Sequence, residues 1–310
     1  MHQISDLNRH IRDYKITQMI HIEEALHEKK IAYIADMIHQ KKNARIVLIA
    51  GPSSSGKTTF AKRLSIQLRV NGLIPLVIGM DNYFLSRDQT PRKSDGEYDF
   101  ESIRAIDVAK LNEHLRQLLA GETIELPQYD FIRGIQEPSG KTLTMRENNV
   151  VIMEGIHGLN DELTVTVPAE QKFKIYISCL NQLNLDDHNR IPTTDTRKIR
   201  RIVRDAQYRN YSAEDTLKRW QSIREGEDRN IFPFQENCDI MFNSGLTYEL
   251  SVLKSLALPI LMKVPRRSPV KPEAKRLIRL LQYFREMTDT HVVPNNSILR
   301  EFCFGSIFKY

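Results

Sequence analysis

The stretch that most narrows what this chain can fold into is RIVLIAGPSSSGKTTFAKRL, Arg45 to Leu64. A short apolar run, RIVLIA, breaks into a turn of glycine, proline and serines, and an amphipathic helix begins at once. Gly51, Pro52, Ser53, Ser54, Ser55, Gly56, Lys57 and Thr58 fit the pattern G-x-x-x-x-G-K-[ST], with Thr59 following. The glycines let the backbone curl so that several N–H groups face one anion. The helix starting near Lys57 adds the positive end of its dipole. Lys57 supplies a mobile charge for β- and γ-phosphates, and the Thr58 hydroxyl can ligate Mg²⁺. A Ser/Gly-rich loop that merely precedes a helix is the plainer alternative, but the strand, loop and helix that the motif requires are all present in order.

The bulk numbers bound the answer without choosing it. Of 310 residues, 41% are hydrophobic and 27% charged, an ordinary globular composition. A net charge of +6 suits a polyanionic ligand as well as nucleic acid. Cys179, Cys238 and Cys303 lie far apart and form no metal-type pair, so a reduced, cytoplasmic protein is expected. The longest apolar runs fall far short of the ~20 residues of a membrane span. The start, MHQISDLNRHIRDYK, is too polar for a signal peptide.

From Arg45 onward short apolar runs are separated by helices. RIVLIA, IPLVIGM, NVVIMEG, FKIYISC, CDIMFNS and ALPILMKV are those runs. One helix starts at Asp107, shows Leu111, Leu115, Leu118 and Leu119, and stops at Gly121. Strands alternating with helices point to an α/β fold, a mostly parallel sheet covered on both faces. ETIELPQYDF and KTLTM alternate instead, and Pro127 cannot donate in a ladder, so they read as an edge hairpin outside that sheet. Residues 1–42 read as a helical appendage, surface-active rather than core-forming, ahead of a main domain at 43–264. Residues 265–310 read as a linker and a helix entered at Pro272.

Two further features bear on chemistry. Glu154 closes an apolar strand, which suits a carboxylate that holds Mg²⁺ or orients water opposite Thr58. Arg197, Arg200, Arg201 and Arg204 fall within an arc of about 100° on one helix, with Ile199, Ile202, Val203 and Ala206 opposite. Asp205 is spaced to satisfy Arg201 or Arg209, but four unopposed arginines on one arc suit triphosphate oxygens better than a solvated face, with Arg201 and Arg204 the leading candidates. The N-K-x-D guanine motif of GTPase switches and the L-S-G-G-Q signature of transport ATPases are both absent.

GPSSSGKTT, GMDNYF, YDFESIRAID, LPQYDF and DTRKIRRIVRD occur in that order, with VVIMEGIHGL before the last. In these stretches the chain resembles the uridine kinase and phosphoribulokinase family from about Arg45 to Val264. The resemblance implies a P-loop NTPase-type core of five parallel strands, a hairpin over the acceptor, and an arginine-bearing lid helix. By the same resemblance Asp81 is the base on the acceptor hydroxyl, in keeping with its place at the carboxyl end of a strand. Tyr83 matches an aromatic position beside the acceptor, Tyr129 the ring that stacks on the base, and Arg209 a family arginine. Uridine kinases carry FDHPDAFD where this chain has FESIRAID, which leaves Glu101 to receive sugar hydroxyls. The family's pyrimidine-contacting histidine falls on Gly134, with Arg133 beside it.

The flanks ALHEKKIA, RNIFPFQEN and PNNSILREF resemble a bacterial subgroup whose longer front half is similar to the N-terminal domains of threonyl-tRNA synthetase. Only the tail of that half is expected here. The resemblance therefore implies an ATP- and Mg²⁺-dependent kinase acting on the primary hydroxyl of a uridine- or cytidine-like nucleoside or a related ribose-type acceptor. The alternatives are another small alcohol, as in the phosphoribulokinase or pantothenate kinase branches, or an RNA-associated regulatory module without transfer activity. The expected partner is a small acceptor bearing a ribose-like hydroxyl, neither membrane nor nucleic acid, with self-association left open.

Overall fold

Three strands buried on both faces form the centre of the molecule, and the computed structural model describes them within residues 3–93 and 96–309. In chain order, α1 (Ile4–Arg12) and α2 (Ile16–Gln40) lead into β1 (Ile46–Ala50), α3 (Lys57–Val70) and β2 (Ile74–Gly79). Then come α4 (Val108–Leu119), the hairpin strands β3 (Thr123–Asp130) and β4 (Ile135–Thr144), β5 (Asn149–Glu154) and β6 (Lys172–Ser178). The chain continues through α5 (Thr193–Tyr208), α6 (Ala213–Asn230), β7 (Ile240–Asn243), α7 (Glu249–Met262) and α8 (Lys271–Gln282).

The main sheet has five strands in the order β2-β5-β1-β6-β7, and every pairing in it is parallel. β1 and β6 are buried throughout and β5 nearly so, which is why they read as unbroken apolar runs rather than alternating ones. Two hydrophobic layers flank the sheet. Val47 and Ile49 of β1 face α3, α5 and α7, while Ile46 and Leu48 face α4 and the hairpin. β3 and β4 pair antiparallel in a separate two-stranded sheet, with the register shifting between Glu125 and Pro127. Asp107 caps α4 by accepting from the Lys110 N–H, and Gly121 ends the turn beyond it at φ 79°.

Two expectations need correction. ALPILMKV is not a strand: it is the end of α7, which runs through Pro259. Leu253, Ala257 and Leu261 are buried at four-residue spacing on one face of that helix. The run continues upstream as ELSVLKS without a turn signal, and the combined length exceeds that of a strand. The second concerns the N-terminal helices, which are core rather than surface. Ile20, Ile31, Ile34, Ala35 and Ile38 join one hydrophobic cluster with Leu64 and Leu68 of α3 and Leu253 of α7. Polar ties reinforce the packing: the Tyr248 hydroxyl donates to buried Glu24 at 2.7 Å, and Arg63 pairs with Glu28 at 2.6 Å. The isoleucine spacing identified the right face of α2, but local spacing carries no information about what covers it. Among the described residues no helix is long and apolar enough to cross a membrane.

Candidate active site

The loop after β1 is shaped by how close it passes to β6. A Cβ on Gly51 would lie 2.1 Å from the Ile177 carbonyl oxygen, so no side chain fits there. Ser54 at φ 60° and Gly56 at φ 86° then turn the chain into α3. Among the described residues, the Ser54 and Ser55 hydroxyl oxygens are buried without a hydrogen-bond partner. Lys57 Nζ donates to the loop's own Gly51 and Pro52 carbonyls, at 2.8 and 3.2 Å.

Parallel register brings two acids to this loop. Ile49 of β1 and Gly79 of β2 both lie opposite Glu154 at the end of β5. The Thr58 hydroxyl donates to Glu154 Oε1 at 3.0 Å. Asp81 follows β2 by two residues and faces the same space. The result is a cavity of about 200 Å³ bordered by Ser53, Ser54, Gly56, Lys57, Thr58, Asp81, Glu101, Glu154, Arg201, Arg204 and Arg209, together with Glu227 and Glu301. Residues from separate stretches of the sequence thus converge at the carboxyl ends of the strands.

Tyr83 and Tyr129 do not border that cavity. Tyr83 is fully buried against α4, with its hydroxyl 3.0 Å from His114 Nδ1. Tyr129 is 5% exposed, its ring set edge-on to Phe84 and Phe131 at 5.7 and 5.0 Å.

The four arginines are not unopposed, and they divide into two pairs. Arg197 makes a two-pronged bond to Glu227 at 2.5 and 2.8 Å and also donates to the Ser53 carbonyl at 3.2 Å. Arg200 donates to Glu249 at 2.6 Å and to the Ser54 carbonyl at 3.3 Å. Both are buried beneath the loop, and their acids come from α6 and α7, too far along the chain for helical spacing to reveal. Arg201 and Arg204 share Asp205, at 3.1 and 3.2 Å, and reach the cavity; Arg201 also donates to the Ser53 hydroxyl. Arg209, half exposed, stands 3.7 Å from the same aspartate.

Glu227 and Glu301 were not anticipated. Glu227 accepts from the Ser53 N–H at 3.0 Å while held by Arg197. Glu301 accepts from Thr59. Glu227 sits in an unremarked helix, whereas Glu301 lies in PNNSILREF, where the flank resemblance was the available signal.

Burial dominates the electrostatics. It pushes the Asp81 carboxyl up, against the pull of Lys57 and Arg209. Asp81 is exposed to the cavity rather than enclosed, so what raises its carboxyl is the neighbouring protein's partial removal of its hydration, a smaller effect than full burial would give. Glu154 is raised by burial too, with Asp81 adding to the effect and Lys57 opposing it. Glu101 is raised against Arg201, and Lys57 is lowered despite Glu154, Glu301 and Glu227.

A polyphosphate fits this donor set: serine hydroxyls with no partner among the described residues, a lysine that donates to the loop's own carbonyls, and three cavity arginines. The Thr58 and Glu154 oxygens fit Mg²⁺, an ion that keeps several waters and takes other ligands from phosphate.

A model of the phosphoribulokinase / uridine kinase family matches residues 46–251. A uridine kinase of Lactobacillus johnsonii is 30% identical over 207 residues, covering 66% of this chain and 89% of that protein. One of Proteus mirabilis is 30% identical over 221 residues, covering 68% and 91%. Among solved structures, a possible uridine kinase from Bacillus stearothermophilus is 20% identical with a TM-score of 0.41, covering 64% of this chain and 89% of that one.

The two arginine pairs predict opposite phenotypes. Arg197→Ala strands Glu227 in the interior and should cost about 3–5 kcal/mol of stability by urea unfolding. Arg204→Ala should cost within about 1 kcal/mol, because its neighbour Asp205 keeps Arg201. Equal losses in the two variants would contradict the division.

Proposed function

This chain belongs to the phosphoribulokinase / uridine kinase family, and we propose that it is an ATP- and Mg²⁺-dependent kinase phosphorylating the primary hydroxyl of a ribose-type acceptor. The observation that carries the reading is the meeting of Lys57, the Thr58–Glu154 pair, Asp81 and the rim arginines in one cavity. In this reading the loop N–H groups, Lys57, Arg201 and Arg204 hold the phosphates, the arginines by bidentate forks. Bound Mg²⁺–ATP supplies the transferable phosphoryl group and the metal that neutralises its charge. Thr58 and Glu154 hold the ion. Asp81 accepts the hydroxyl proton of the acceptor, and Glu101 receives its sugar hydroxyls.

A raised carboxyl is well matched to that task, because its basicity exceeds that of a free aspartate. Asp81→Asn keeps the shape and removes proton acceptance, so kcat should fall by roughly two to four orders of magnitude while ATP affinity changes little. The acid limb of the wild-type kcat/KM profile should lie above the ordinary carboxylate range, since below its raised pKa Asp81 carries a proton. The sign for stability is opposite to that for activity. A raised folded-state pKa means that the fold is weakened as pH rises through it, so Asp81→Asn should melt higher at neutral pH. An unchanged kcat would leave Asp81 as a turn residue; a collapse in ATP binding would move it to the metal.

The acceptor is read as ribose-like with little demand on the base. Tyr129 is walled in by Phe84 and Phe131, and Arg87 fills the space beside Gly134, where a Cβ would meet its Cδ at 2.3 Å. Gly134 also holds φ 71°, so Gly134→His would strain the turn rather than restore a pyrimidine contact. With no side chain at position 134 to be left unpaired by the wrong base, discrimination is weak. Uridine, cytidine, adenosine and ribose should give kcat/KM values within about tenfold of one another, because the enclosed Tyr129 ring offers a base little to stack on. A preference for uridine or cytidine above about a thousandfold would sink this reading of the acceptor. Salt-dependent RNA binding without ADP release would favour the regulatory alternative.

A further inference from the structure

One carboxylate at the mouth of the phosphate loop has no part in the reaction just described. Glu301 ends a 3-10 turn, Ile298–Glu301, and its Oε2 accepts from the Thr59 N–H at 3.2 Å and from the Thr59 hydroxyl at 2.7 Å. Thr59 lies in the first turn of α3, whose N–H groups are the donors that a bound anion takes. The same turn closes over the loop from one side: a Cβ on Gly56 would come within 2.5 Å of Ile298 Cγ2. Phe302, fully buried, sets its ring 4.8 Å from the Arg200 guanidinium beneath the loop. Glu301 borders both the cavity that holds Lys57 and Asp81 and a neighbouring one of about 370 Å³ bounded by Thr58, Arg204, Tyr208 and Arg209.

The segment is tied down on either side of this contact. The Ser297 hydroxyl donates to Glu24, and the Arg300 guanidinium donates to the Thr290 and Val293 carbonyls, each at 2.7 Å. Beyond it, the Tyr208 hydroxyl of α5 donates to the Cys303 carbonyl at 3.3 Å. These ties hold the Glu301 carboxylate at the helix N-terminus.

We propose that Glu301 is an internal stand-in for a phosphate group, and that the C-terminal turn carrying it gates nucleotide affinity. This rests on the reading of the loop as an ATP site. A carboxylate and a phosphate oxygen compete for the same Thr59 N–H and hydroxyl, and two anions in one shielded cavity repel strongly. Nucleotide therefore binds in competition with the seated carboxylate, and its apparent affinity is reduced by the fraction of time that Glu301 is in place. The device is autoinhibitory: any event that lifts the turn, such as a partner engaging the C-terminal segment, raises affinity without touching the reacting groups.

Titration calorimetry with ATP on the full chain tests this, comparing wild type with Glu301→Gln and Glu301→Ala. Glu301→Ala should bind ATP about tenfold or more tightly than wild type, and Glu301→Gln should also bind more tightly because it removes the charge while keeping the shape. In wild type, ATP should increase amide hydrogen exchange across residues 298–302, the reverse of the protection that a ligand usually confers. Unchanged or weaker ATP binding in both variants, with wild-type binding intact, would overturn the gate alone. So would a fall in exchange at 298–302. Failure of all three proteins to bind ATP would remove the gate and the nucleotide reading together. Should Glu301→Ala melt far below wild type, the Gln variant and the wild-type exchange decide.

Discussion

The site depends on one close approach, the passage of the chain leaving β1 over the end of β6. Gly51 is set so near the Ile177 carbonyl that even a methyl group is excluded, which holds the start of the loop against the end of β6. α3 then starts directly at Lys57, with Gly56 in the left-handed region before it. The parallel register does the rest. Ile49 and Gly79 flank Glu154, so the acid that ends β5 meets the Thr58 hydroxyl, and Asp81 emerges beside it. A lateral slip of one strand would separate the acids from the loop.

Buried charge keeps the loop in that shape. Desolvating an ion pair is costly, and a well-packed apolar pair of equal volume is often as stable. The Arg197–Glu227 and Arg200–Glu249 pairs are better understood through their other bonds. Each arginine also donates to a loop carbonyl, and Glu227 takes the Ser53 N–H. α5 thus carries both the buried struts, Arg197 and Arg200, and the arginines that reach the cavity, Arg201 and Arg204. The N-terminal helices join the same scheme, since Glu24 of α2 links Tyr248 at the start of α7 to Ser297 beside the C-terminal turn.

What was legible in the sequence was local. The strand, loop and helix around Lys57 lie within one short window, and Glu154 announced itself as an acid closing an apolar run. The hairpin was legible from alternation and from Pro127. What was not legible depends on partners far along the chain. Glu227 meets Ser53 across 174 residues and Glu301 meets Thr59 across 242, so no spacing rule relates them. The same blindness made the inner arginines look unopposed and made α2 look like a surface helix. ALPILMKV was misread for a different reason: strand and buried helix share an apolar composition, and only length and the spacing of buried residues separate them.

The central claim is that this cavity moves phosphate to a hydroxyl rather than to water. Phosphorus NMR of the full chain with Mg²⁺, ATP and a saturating ribose-type acceptor measures that directly. The account predicts one phosphomonoester formed per ADP, with almost no ADP formed when the acceptor is left out. ADP accompanied by an equal amount of inorganic phosphate, at a rate independent of the acceptor, would contradict it.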